Sequence, residues 1–86
     1  MDVFHLIGRL HLVREDASMA QKGVGEVLQG MAGRAGSELR QGTLEAQRDE
    51  LAKARGKLDK AIHNMDLVSA EIDQEIARQQ REFENA

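Results

Sequence analysis

Nine apolar residues recur along the first third of the chain at alternating intervals of three and four: Val3, Leu6, Leu10, Val13, Ala17, Ala20, Val24, Val27 and Met31. A strand places side chains with period two and cannot generate that spacing, whereas a helix with a heptad seam does. Asp2, just ahead of the first seam residue, is the expected N-cap. Phe4, Ile7 and Leu12 lie beside the seam and widen it beyond what a two-stranded contact needs.

A second periodic segment begins at about Thr43. Leu44, Leu51, Leu58, Met65 and Ile72 recur at a strict seven-residue interval, and Ala54, Ala61 and Val68 form a second row three residues after members of the first. Ile62, Ile76 and Phe83 lie one residue off that second row, so the stripe broadens or drifts along the helix. Thr43 is the expected N-cap, and Glu45, Asp49 and Glu50 fall where the helix dipole favours acids. Asp49 with Lys53, Arg55 with Asp59 and Arg78 with Glu82 are opposite charges four apart, each contributing about 0.2–0.5 kcal/mol. Gly56 costs about 1 kcal/mol relative to Ala. At 1.5 Å per residue this helix is on the order of 60 Å long.

Between the segments, Gly30, Gly33 and Gly36 stop the first helix and allow the left-handed backbone of a tight reversal. Ser37 or Thr43 opens the second. Folding the chain there and pairing residues whose numbers add to 75 sets Met31 against Leu44, Val24 against Leu51, Ala17 against Leu58, Leu10 against Met65 and Val3 against Ile72. The expected fold is therefore all-α. It is one unit over 1–86, an antiparallel, coiled-coil-like two-helix hairpin with helices over 2–32 and 43–85 and a glycine-rich turn at about 33–42. An aspartate at Leu58 is expected to place an unpaired charge on the central seam and destabilise it severely.

Composition supports this and narrows function. The 86 residues contain no Pro, Cys, Trp or Tyr, which excludes a disulfide framework, a thiolate metal site and a cysteine nucleophile. A net charge of −3 leaves no footprint for a polyanion, so nucleic acid is not an expected partner. His5, Gly8, Arg9 and Arg14 interrupt the apolar stretches, so no membrane span is expected. No basic leader follows Met1, which suggests a protein made without a cleavable signal, acting in the cytoplasm or built into a virion or apparatus.

Chemistry is sparse. His5, His11 and His63 form no HExxH and no pair four apart. His11 with Glu15, and Asp59 with His63, are one helical turn apart, and the hairpin would set His11 near Asn64 and His63 near Leu12. These read as histidines on a polar flank rather than a metal site or general base, so no catalytic, cofactor or metal residue is assigned. Gly23-Val24-Gly25 lacks the third glycine of a dinucleotide fingerprint, because position 28 is Leu. Arg34 and Arg40 bracket the turn, and Glu71, Asp73 and Glu75 lack a calcium-loop pattern; all read as solvated charge.

What remains is apolar surface without a partner inside the hairpin. Residues beyond about 74 overhang the first helix and carry Ile76 and Phe83, while Phe4, Ile7, Leu12 and Leu67 add to the flanks. A unit this small buries little surface alone, so a homo-oligomer or a protein partner is expected to complete it through these six residues. In length and layout the chain resembles the small hairpins that build secretion needles, although it lacks their proline-containing turn. That resemblance, and an equal fit to a small virion component, implies a structural subunit present in many copies. The alternative is a small adaptor, chaperone or inhibitor offering its apolar stripe to one partner helix.

Overall fold

The computed structural model of the chain describes residues 1–33 and 40–85. Two helices account for nearly all of that range: α1, Val3–Ala32, and α2, Gln41–Asn85. They run antiparallel in a rod with extents of 71 × 18 × 17 Å. Its radius of gyration is 20.2 Å, against roughly 12 Å for a compact domain of this length.

Asp2 caps α1 as the sequence indicates: its Oδ1 accepts from the His5 amide at 3.2 Å, and its carbonyl accepts from Leu6. At the other end Gly33 closes α1 with its amide donating to the Gln29 carbonyl at 2.9 Å. Gly33 stays right-handed (φ −66°), so the left-handed residue expected of the reversal is not this one. Residues 34–39, including Arg34 and the candidate cap Ser37, lie outside the described residues. The second helix starts two residues ahead of expectation. Thr43 and Leu44 both donate their amides to the Arg40 carbonyl, at 3.0 and 3.1 Å, which puts Thr43 inside the first turn rather than at its cap.

The antiparallel register follows the expected pairing closely. Asp16 Oδ1 lies 3.9 Å from Lys57 Nζ, Arg9 Nη1 donates to Asn64 Oδ1 at 3.1 Å, and the Met1 ammonium lies 3.6 Å from Glu75. Residues 76–85 therefore overhang α1, by on the order of 15 Å.

The depth of each row differs from the sequence expectation. The buried centre is Leu6, Ala20 and Val27 of α1 against Ala54, Ala61 and Val68 of α2. Small residues govern this choice. A Cβ built on Gly23 would sit 3.4 Å from the Ala54 Cβ, so the backbones approach more closely there than any Leu would allow. The Val3–Met31 and Leu44–Ile72 rows, paired across the expected seam, lie along one margin of the contact instead. Their nine large members are each 40–52% exposed. Leu58 belongs to that margin, so an aspartate there does not enter the hairpin's centre.

Candidate protein-interaction face

The two long margins of the hairpin have opposite chemistry, and heptad geometry explains why. One helical step from the buried row on one side come Arg9, Asp16, Gly23 and Gly30 of α1. They face Asn64, Lys57, Glu50 and Thr43 of α2, which recur at the same interval of seven. Side chains meet across this margin: Arg9 on Asn64, Asp16 by Lys57, Glu50 over Gly23 and, one turn out, His5 Nε2 3.6 Å from Glu71. It is a polar ladder.

One step in the other direction lie Val3, Leu10, Ala17, Val24 and Met31, beside Leu44, Leu51, Leu58, Met65 and Ile72. In an antiparallel pair, positions displaced in the same sense from the two central rows share one side of the contact. The second margin is thus a continuous apolar strip running the length of α1. Ile7 and Leu28 of α1, and Ile62, Ile76 and Phe83 of α2, extend it outward one further step.

The six expected contact residues divide between these surfaces. Ile7, Ile76 and Phe83 border the apolar strip, with Phe83 on the overhang. Leu12 and the half-buried Leu67 fall on the side of the polar ladder, and Leu12 shares a shallow groove with Asp16, Asp59, His63 and Asn64. Phe4 is 85% exposed on the far side of α1. Heptad spacing alone hides the strip, because its rows share the seven-residue period of the buried ones. The available signal is the cluster of small residues at mid-rod: Ala20, Ala54 and Ala61 are buried, and a Cβ on Gly23 would touch Ala54.

His63 lies beside Leu12 as expected, whereas His11 faces a different groove with Arg14, Glu15 and Ser18. Among the described residues, no group of three or more His, Cys, Asp or Glu side chains is placed to hold a metal ion. No described helix is long and apolar enough to cross a membrane.

Charge is most organised where the overhang begins. Arg78 donates from Nε to Glu75 Oε2 at 3.0 Å and also pairs with Glu82, while Gln79 donates to Glu75 Oε1 at 3.2 Å. The Arg78 hydrogen bond, helped by Gln79 and the Met1 ammonium, pulls the Glu75 carboxyl down to about 2 against the opposing effect of desolvation. The Arg78 guanidinium is correspondingly raised by Glu75.

No protein-family model, no curated protein and no solved structure matches this chain.

Proposed function

We propose that this chain is a non-enzymatic helical assembly subunit, one of several copies in a larger protein complex of the kind found in virions or secretion apparatus. The observation that carries this reading is the uncovered strip along Leu44, Leu51, Leu58, Met65 and Ile72. Monomeric soluble proteins seldom expose contiguous apolar surface of more than a few hundred Å², and larger patches mark sites of association. The thin interior supports the same reading. Among the described residues the buried apolar set is six residues, three of them alanine, and no large side chain is fully buried. Such a core gains little from burial, and association supplies the rest.

Absolute mass by light scattering during size exclusion, over a hundredfold range of concentration, tests the proposal. A discrete oligomer or growth into polymer is the expected result. A chain that stays monomeric throughout and takes up one client protein would replace it with the adaptor reading.

A further inference from the structure

We infer that the occupant of the apolar strip is a second copy of this chain, packed antiparallel with its turn at the opposite end, about a two-fold axis through the layer of Ala17 and Leu58. This rests on the assembly-subunit reading and names the first contact of that assembly.

The symmetry of the strip is the first argument. Its five layers are centred on Ala17 in α1 and on Leu58 in α2, with members seven and fourteen residues to either side in both helices. Because the two centres lie at one level of the rod, a single perpendicular two-fold axis sets α2 on its copy and α1 on its copy, both in register. Leu58 then faces Leu58 of the other copy, Leu51 faces Met65, and Leu44 faces Ile72. An unrelated helix would need its own seven-residue repeat over the same length, whereas a second copy carries it already. Contacts of this kind are isologous and close on themselves.

Area is the second argument. The chain exposes 6912 Å², whereas a compact monomer of 9.6 kDa exposes roughly 5,100 Å². The nine large residues of the strip, each about half exposed, leave on the order of 700 Å² of apolar surface per copy. A stable interface takes about 800 Å² from each partner, and the flanking Ile7, Ile62 and Ile76 bring the strip to that size.

Charge decides the orientation. The described residues of the turn-proximal half of the rod, 17–33 and 40–58, hold six Lys and Arg against four Asp and Glu. The open half, 1–16 with 59–85, holds five against ten. Copies stacked with turns together would bring the two acidic halves side by side, while reversing one copy sets each acidic half along a basic one. The reversed arrangement also sets Ile76 level with Arg40 at the turn end of the other copy and lays Phe83 against that end, instead of placing the overhang in parallel with its twin.

The chain has no cysteine, so single cysteines report the geometry directly. Leu58→Cys alone should form a covalent dimer under mild oxidation. Leu44→Cys and Ile72→Cys should each cross-link poorly alone and efficiently when mixed. Ser18→Cys, off the strip, should not cross-link. Light scattering on the parent chain should give the dimer as the smallest species at low concentration and multiples of it at high concentration, and the double variant Leu51→Glu with Met65→Glu should weaken the dimer at least a hundredfold with helicity retained. A parent chain monomeric at every concentration would overturn both this inference and the assembly reading. An oligomer in which Leu58→Cys stays unlinked, or in which Ala17→Cys pairs with Leu58→Cys instead, would overturn the antiparallel two-fold contact and leave the assembly reading standing.

Discussion

Ala61 and Leu58 lie three residues apart on α2, yet they answer to different forces. Ala61 is buried on the line of closest approach, while Leu58 is 43% exposed on the apolar margin. Aspartate at position 61 should cost the hairpin about 3 kcal/mol or more, because it buries a charge without a partner. Aspartate at Leu58, already 43% exposed, should cost the isolated hairpin about 1–2 kcal/mol and act mainly on association. Urea denaturation at the lowest workable concentration separates the two. Glycines divide in the same way. A Cβ on Gly56 meets nothing within 4 Å, so Gly56→Ala should stabilise by about 1 kcal/mol. At Gly23 the Ala54 Cβ is already in contact distance, and Gly23→Leu should destabilise by about 1–3 kcal/mol through forced separation of the helices. Near the turn, among the described residues, the buried Oε1 of Gln47 has no hydrogen-bond partner. Gln47→Leu should raise stability by roughly 1 kcal/mol, read by the same denaturation curve.

At the scale of the element, the start of α1 is tied down by polar contacts. Asp2→Ala removes the acceptor for the His5 amide and should cost about 1 kcal/mol, with Asp2→Asn largely preserving the cap. The Glu75 cluster ties the start of α1 to α2 through the Met1 ammonium. The folded Glu75 carboxyl is depressed to about 2 from an ordinary 4.5. Its contribution is therefore fully present above pH 4.5 and is lost as the pH falls towards 2. Protection of the first-turn amides of α1, taken relative to the unfolded chain at each pH, should fall over that window, and Glu75→Gln should remove the share of the fall that Glu75 carries. Element boundaries were largely legible in the sequence, since Asp2 and the glycine run are local signals. The start of α2 was not. Thr43 has the chemistry of a cap, but the Arg40 carbonyl accepts the amides of both Thr43 and Leu44, and this extends the helix past it.

For the molecule as a whole, the rod shape follows from having two long helices and nothing to wrap them. Phe83→Ala should leave the denaturation midpoint of the hairpin unchanged, because Phe83 is 85% exposed beyond the end of α1. The same change should weaken self-association severalfold by light scattering. The amino-acid sequence by itself determined the two helices, the place of the reversal, the antiparallel register and the overhang, because period, glycine placement and chain length act locally or by counting. Only the tertiary structure decided which apolar row faces inward. The Leu44–Ile72 row and the Ala54–Val68 row share one period, so hydropathy ranks the leucines as core. Packing reverses the order. Backbones approach where side chains are small, and the line of Gly23, Ala20, Ala54 and Ala61 draws the helices together along itself, leaving the large residues half in solvent on one margin.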